Sequence, residues 1–547
     1  MNESTRKRFM VRRPGLLALL IALLWACADY PDKVDVAGAN TARRPNIIFL
    51  LADDQSAGTL SSAGHPILQT PNLDRLASEG TVFRNAFTVQ PICAPSRFAI
   101  LTGQYERTNG IGFSSPYRAT EQQWAQTYPA MLRENGYHTG FIGKFGVEFY
   151  TFRGNTQTKF DFWRGHDGWL SFFMRDNPGN TAIESYADAK HNITTEIMGE
   201  SIETFLDSVP EDKPFQLSVS FSAPHGSMTS SMYLDADTSH CETRQCKKMG
   251  VPANKNPRLA DHPIYNERYR DAGITAPLDL SKDPHHYLPA EVVDHDKRKQ
   301  WYDYLYDPET NPEHTIRYYQ QITGIDRVVG QLWEQLKEKD LLDNTIIIYT
   351  SDHGLITGQY GVGGKALLYD QAVKVPLIIV DPRTAKGVQS DALILTVDLA
   401  PTILSMAGIA APDIMQGRNL EPLIANPEGD WRDEILIESL TTVEDKTMSE
   451  ALRTSQWKYI RYFATPGCPY QESDLVFSKR KTVFEQLFDL ESDPGERINL
   501  ASSEKHSDTL QDMRDRLSRR SHKLTDQSIL YKSQIDLVNR KAGEGCW

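Results

Sequence analysis

The chain of 547 residues carries 59 Lys and Arg against 72 Asp and Glu, a formal charge of −13, with 40% hydrophobic and 24% charged residues. That length allows one large core plus a smaller domain, and the composition is that of an ordinary globular protein. An acidic chain is no lure for nucleic acid or another polyanion, so an anionic partner needs a local cationic pocket set against the global field.

Arg6, Lys7, Arg8, Arg12 and Arg13 form a basic start, followed by an apolar run from Leu16 to Ala26. The run is too short for a membrane span, which needs about 20 residues, and reads as a signal peptide over residues 1–26. Ala26 before Cys27 is similar to a bacterial lipobox, with Trp25 bulkier than usual there. This implies lipidation of Cys27, a polar tether over residues 27–44, and export to the periplasm or cell surface, the membrane being touched through the lipid anchor only. An ordinary cleaved signal peptide is the other reading, and it too implies export.

Asn46 to Leu51 is a continuous apolar run of the buried-strand type. Pro71 to Glu79 reads as a helix with Pro71 in its first turn, and Val82 to Val89 is strand-like. A helix is expected to open at Cys93, with Pro95 and Ser96 in its first turn. Met131 to Asn135 reads as helix, stopped by Gly136, and Tyr137 to Ile142 as strand. Ile193 to Val209 has helical spacing, and Phe215 to Phe221 alternates like a strand. Ile316 to Lys339 is a long helical pattern, followed by the buried strand Thr345–Tyr349. Strands alternating with helices predict an α/β fold, a mostly parallel sheet sandwiched by helices. Ser227 to His314, rich in Pro, Asp, His and Tyr, breaks this rhythm and reads as a loop-rich insertion over the sheet. Within it His240, His262, His285, His286, Arg268 and Arg270 are unranked specificity candidates. From about Trp431 the strands are shorter (Glu434–Ile437, Ala451–Tyr462) and end in a polar helix, Thr509–Leu524. The expected organisation is a catalytic domain over 45–425, with insertion 227–314, and a smaller α+β subdomain over 426–547.

Asp53-Asp54 directly follows the first apolar strand, and Asp352-His353 follows the Thr345–Tyr349 strand. In an open parallel sheet, ligands gather at the carboxyl ends of strands, so segments about 300 residues apart aim at one edge. Adjacent carboxylates at buried strand ends repel each other unless something positive neutralises them. A divalent cation is the economical answer, and oxygen-dominated ligation favours calcium or magnesium over zinc. Of the six cysteines, Cys241 and Cys246 bracket a short polar loop and suit a small disulfide, whereas spacing leaves Cys468 and Cys546 either paired or free. No C-x-x-C pair argues for zinc.

Cys93-Ala94-Pro95-Ser96-Arg97, with Leu101-Thr102-Gly103 a few residues on, resembles the signature of the formylglycine-dependent (type I) sulfatases of the alkaline-phosphatase-like superfamily. Leu51-Ala52-Asp53-Asp54-Gln55 and Ser351-Asp352-His353-Gly354 look like the two metal-binding motifs of that family. The resemblance implies that a formylglycine-generating (sulfatase-maturing) enzyme oxidises Cys93 to formylglycine, and that Asp53, Asp54, Cys93, Asp352 and His353 hold calcium. It further implies that Lys144 and Lys365 bind the sulfate, that His225 in Ala223-Pro224-His225 stands near the leaving oxygen, and that Arg97 supports the formylglycine hydrate. One hydroxyl of that hydrate attacks sulfur; the other, once deprotonated, expels sulfate by re-forming the aldehyde. The family usually continues Gly-Lys-x-His, but here the line is Gly143-Lys144-Phe145-Gly146, so either another residue, His353 or one from the insertion, covers for the missing histidine or turnover is altered. The expected activity is hydrolysis of sulfate esters on an oligo- or polysaccharide, an algal one such as ulvan favoured. Phosphate or phosphonate ester hydrolysis is the alternative enzyme, and a non-catalytic glycan-binding protein on this fold the alternative of another class.

Overall fold

The computed structural model describes residues 43–113, 119–147, 156–174, 186–232, 262–293, 302–440, 448–463 and 481–526. The expected signal peptide, Cys27, the expected tether up to residue 42, His240, Cys241, Cys246, Cys468 and Cys546 lie outside the described residues. No helix among the described residues is long and apolar enough to cross a membrane.

The strands are, in chain order, β1 (Asn46–Ala52), β2 (Thr81–Phe87), β3 (His138–Lys144), β4 (Phe162–His166), β5 (Phe215–Ser220) and β6 (Thr345–Ser351). There follow the short β7 (Ile356–Thr357), β8 (Gly363–Gly364) and β9 (Lys374–Val375), then β10 (Leu377–Val380) and β11 (Val388–Leu395). A nine-stranded sheet runs β11-β2-β10-β6-β1-β5-β3-β4, with β9 beside β2. Pairing is parallel throughout its β6-β1-β5-β3-β4 half; β10 is antiparallel to both its neighbours, and β9 to β2. The expected mostly parallel sheet is thus present, with an antiparallel insertion that apolar runs alone do not encode.

The continuous apolar runs have a direct cause. Ile47, Phe49 and Leu51 of β1 pack into one core with Tyr128, Leu132, Leu399 and Ile403, while Ile48, Leu50 and Ala52 pack into another with Leu73, Ile202, Phe205 and Val328. Both faces of the sheet are covered, so no alternation survives in its central strands. The covering helices include Pro71–Glu79, Cys93–Thr102, Thr194–Ser208 and Asn311–Glu338. The last begins five residues before Ile316, because its opening turn, Asn-Pro-Glu-His-Thr, is polar yet carries Pro312 where a first turn accepts proline.

The smaller C-terminal domain is an antiparallel sheet of β12 (Glu434–Ser439), β13 (Met448–Thr454), β14 (Trp457–Phe463) and β15 (Thr482–Asp489) in that order, with the Ser507–Asp526 helix packed on it. The stretch Ala451–Tyr462 is therefore a hairpin rather than one strand. In the 227–314 stretch the described parts are short helical turns whose Tyr265, Leu288, Tyr304 and Leu305 are buried.

Candidate active site

Five neighbouring strands end side by side. Ala52 of β1 pairs with Ser351 of β6, Leu51 with Ser220 of β5, Ser220 with Gly143 of β3, and Lys144 with His166 of β4. Each chain then turns into the site: the Asp352 N–H donates to the Ala52 carbonyl at 3.1 Å, and the Asp53 N–H to the Ala223 carbonyl at 3.1 Å. Asp54 sits at φ +75°, a left-handed conformation uncommon outside glycine. It is held there by its N–H on Asp352 Oδ1 (3.2 Å) and by the Tyr318 hydroxyl donating to its carbonyl at 2.7 Å.

Cys93 opens the Cys93–Thr102 helix, where the dipole favours negative charge. Ser96, one turn on, donates to the Asp352 carbonyl at 2.6 Å and so ties this helix to β6. Around the buried Cys93 Sγ stand Lys365 Nζ at 3.0 Å, His353 Nε2 at 3.4 Å and Asp53 Oδ1 at 3.5 Å. Lys144 binds Asp53 Oδ2, Lys365 binds Asp54 Oδ1 at 2.7 Å, and Arg97 Nε binds Asp352 Oδ2 at 2.9 Å. Arg97 also donates to the Lys144 carbonyl at 2.9 Å and to Ser220 Oγ. Asp53, Asp54, Cys93, Arg97, Lys144, His225, Asp352, His353 and Lys365, gathered from six separate stretches of chain, thus meet in one buried cluster.

The electrostatics follow from this packing. Burial and Asp53 push the Cys93 thiol up, but Lys144, Lys365 and His353 outweigh them and hold it well below the ordinary thiol value. Burial also opposes the charge on Asp53, yet Lys144 and Arg97 keep its carboxyl well below the usual range. Lys365, which burial alone would lower, is held well above the usual lysine value by Asp54 and Cys93. Three buried carboxylates thus face three buried cations, Arg97, Lys144 and Lys365.

The donor set fits a cation. Metal-capable atoms of Asp53, Asp54, Cys93 and His225, and those of Asp53, Cys93, Asp352 and His353, each lie within 4.8 Å of one another. Asp54 Oδ2 is buried with no hydrogen-bond partner. His353 Nδ1 meets the Gly354 carbonyl at 3.0 Å, so the neutral ring would keep its proton on Nδ1 and turn Nε2 to the cluster. With no ion beside it, burial lowers the ring but Asp352 outweighs that and raises it to about 9. Three carboxylates and one imidazole suit a hard divalent ion. His225 has the opposite tautomer. Its Nδ1 accepts the Ser227 N–H at 3.1 Å, so the neutral ring carries its proton on Nε2, 3.8 Å from Asp54 Oδ2.

Two features bear on the histidine missing after Lys144. Gly146 has φ +67°, and a Cβ there would stand 2.7 Å from Arg97 Cδ and 3.3 Å from Lys144 Cε, so Arg97 already fills the space of a side chain. The histidine that touches Cys93 is His353. His166, in register with Lys144, was not foreseen, since β4 (Phe-Trp-Arg-Gly-His) has no long apolar run to mark it. It is buried, with Nε2 3.2 Å from Ser222 Oγ, and burial together with Lys144 pushes it down to about 3, so it is neutral. Ser220 was missed as well, being a small polar strand-end residue with no motif around it. The described candidates of the 227–314 stretch have other partners: His262 caps the Pro263–Tyr265 turn, His285 binds Asp283 at 2.7 Å, and His286 packs on Tyr287. Arg268 binds Gln69, and Arg270 binds Glu313 at 2.9 Å.

Comparison with known proteins gives this geometry its context. The family model "Sulfatase" matches residues 45–409, and "N-sulphoglucosamine sulphohydrolase, C-terminal" matches 358–523. An N-acetylglucosamine-6-O-sulfatase of Bacteroides thetaiotaomicron is 26% identical over 96% of this chain and 95% of its own. An ulvan-active sulfatase of Formosa agariphila is 26% identical over 87% of this chain and 84% of its own. Among solved structures, a phosphonate monoester hydrolase from Silicibacter pomeroyi shares the fold with a TM-score of 0.67 at 20% identity, covering 89% of this chain and 96% of that one. The family model spans well over half of the sequence and takes in every residue of the buried cluster. The chain accordingly belongs to the type I sulfatases of the alkaline-phosphatase-like superfamily, and is a sulfuric ester hydrolase.

Proposed function

We propose that the protein removes sulfate from a carbohydrate sulfate ester, with formylglycine at position 93 and calcium between Asp53, Asp54, Asp352 and His353. The observation that carries this reading is the surrounding of Cys93 Sγ by Lys365, His353 and Asp53 within 3.0 to 3.5 Å, in a buried cluster that also holds Lys144 and Arg97. Because the three carboxylates are already matched by three side-chain cations, an added divalent ion leaves the pocket with a positive excess. A sulfate group fits that excess. When bound, the calcium ion polarises sulfate oxygens as a Lewis acid, and the formylglycine hydrate supplies the attacking hydroxyl.

The chain's own residues account for the rest. Lys144 and Lys365 are pre-aimed, so they stabilise charge on the sulfate oxygens without reorganising. Arg97 fixes Asp352 and, through the Lys144 carbonyl, the end of β3. His225, with its proton on Nε2, donates to the bridging oxygen as the S–O bond breaks. A sugar alkoxide leaves poorly, and such general acid catalysis contributes about 10²–10⁴-fold.

The carbohydrate assignment is supported by the relatives named for N-acetylglucosamine-6-O-sulfate and ulvan, and ulvan is the first polymer to test. The basic, apolar start of the chain and Cys27 support export and lipid anchoring in the periplasm or at the cell surface, where a sulfatase-maturing enzyme would have to act before or during secretion. A phosphonate or phosphate monoester is the second reading, since the fold is shared with a phosphonate monoester hydrolase. The test is desulfation of a panel of defined sulfated oligosaccharides by calcium-replete protein whose formylglycine is verified by mass, beside aryl phosphate and phosphonate esters. Release of sulfate from a saccharide at a kcat/KM above that for the phosphorus esters is expected; the reverse order would refute the reading.

A further inference from the structure

Residues 167–174, directly after β4, bury every large apolar side chain they carry but one. Leu170, Phe172, Phe173 and Met174 are buried, whereas Trp169 is 39% exposed. Among the described residues the other large hydrophobics left this exposed are Leu278, Val483 and Ile498, all aliphatic. Loose packing does not explain the exposed indole. Ser227 Oγ donates to the Leu170 carbonyl at 3.1 Å, and the Phe172 N–H donates to Ser231 Oγ at 2.8 Å. The loop is therefore pinned to the same turn that carries His225. The Trp169 and His225 rings lie nearly parallel, 16° apart with centroids separated by 6.4 Å, and His225 Nε2 stands 3.8 Å from Asp54 Oδ2 of the cluster.

A part-exposed indole on a pinned backbone, beside the group that faces the leaving oxygen, is placed to meet whatever that oxygen is attached to. Aromatic rings offer a flat apolar face with a polar edge, and sugar-binding pockets combine such faces with a few polar groups. We propose that Trp169 is the platform on which the pyranose carrying the scissile sulfate lays its C–H face, making Trp169 a specificity residue for ring-shaped sugar esters. The proposal rests on the carbohydrate reading above, and it adds the residue that recognises the sugar rather than the sulfate.

The test uses full-length, formylglycine-bearing Trp169→Ala, Trp169→Leu and Trp169→Phe proteins. KM is measured on those sulfated mono- and disaccharides that the wild type desulfates, and Ki is measured for inorganic sulfate, which occupies only the ionic pocket. Ala and Leu are expected to raise KM roughly 10- to 100-fold and Phe to recover most of it, with Ki for sulfate unmoved. Leucine keeps bulk without an aromatic face, so it separates stacking from loop packing. Wild-type KM in the Ala or Leu protein, a Phe protein no better than Leu, or a sulfate Ki that rises in step with KM would each overturn the platform. A wild type that desulfates no saccharide, yet cleaves aryl sulfate, would instead overturn the carbohydrate reading and the platform with it.

Discussion

His225 and Gly146 make opposite demands on a substitution. The Nε2 proton of His225 matters most where the leaving group is poor. His225→Ala is therefore expected to lower kcat on a sugar sulfate by about 10²–10⁴-fold, and by much less on 4-nitrophenyl sulfate, whose phenolate leaves unaided. Equal losses on the two esters would remove the acid role. At Gly146 the usual histidine cannot simply be restored. With φ +67° and Arg97 Cδ 2.7 Å from the position of a Cβ, Gly146→His forces either Arg97 or the backbone to move. Such strain costs about 1–3 kcal/mol. A lower thermal midpoint with no gain in activity is expected; a more active or more stable variant would show that the space can be filled.

The Lys365 loop is held from two sides. The Ala366 N–H donates to the Pro91 carbonyl at 3.1 Å, next to the Cys93 helix. At its other end, Asp370 binds Lys458 at 2.8 Å and Arg453 at 3.1 Å on the C-terminal sheet, and its N–H binds Glu496 at 2.6 Å. Burial disfavours the Asp370 carboxylate, but Lys458 and Arg453 outweigh it and hold the carboxyl well below 3.8. A group depressed on folding adds stability above its unfolded value, and that stability is lost as pH falls through the folded one. Asp370→Asn should therefore lower the urea midpoint at pH 7 and flatten the wild type's loss of stability below about pH 4. Unchanged curves at both pH values would mean that the clamp carries no load. The strand character of Ala451–Tyr462 was legible in the sequence, but the pairing of its Arg453 with Asp370 was not, because an ion pair across 83 residues leaves no local pattern. The same division holds elsewhere. Asp53-Asp54 and Asp352-His353 were readable because each follows a strand buried on both faces, whose apolar run marks its own end. His166 and Ser220 end strands that are short or polar, and the hairpin at Ala451–Tyr462 turns at Ser455-Gln456 without glycine or proline. The antiparallel β10 depends on sheet order, which periodicity does not record.

At the scale of the molecule, a chain with net charge −13 concentrates Arg97, Lys144 and Lys365 at one rim of its sheet and offsets them with three carboxylates. Asp54 Oδ2, buried with no hydrogen-bond partner, and the Asp53, Cys93, Asp352 and His353 atoms gathered within 4.8 Å leave room in this balance for a divalent ion. Calcium added to chelator-treated protein is expected to raise the thermal midpoint, with about 2.7 kcal/mol of stabilisation at one hundred times Kd, and Asp54→Asn should abolish most of that shift. No shift in the wild type, or an undiminished one in the variant, would contradict the ligand set. The formylglycine mechanism is put to its sharpest test by counting sulfate released per enzyme by ion chromatography, from the same sulfated saccharide, for formylglycine-bearing wild type and for Cys93→Ser. Many equivalents from the wild type and at most one from the serine protein, which can accept a sulfuryl group but lacks the second hydroxyl to expel it, is the predicted result. Sustained turnover by Cys93→Ser at the wild-type rate would contradict it.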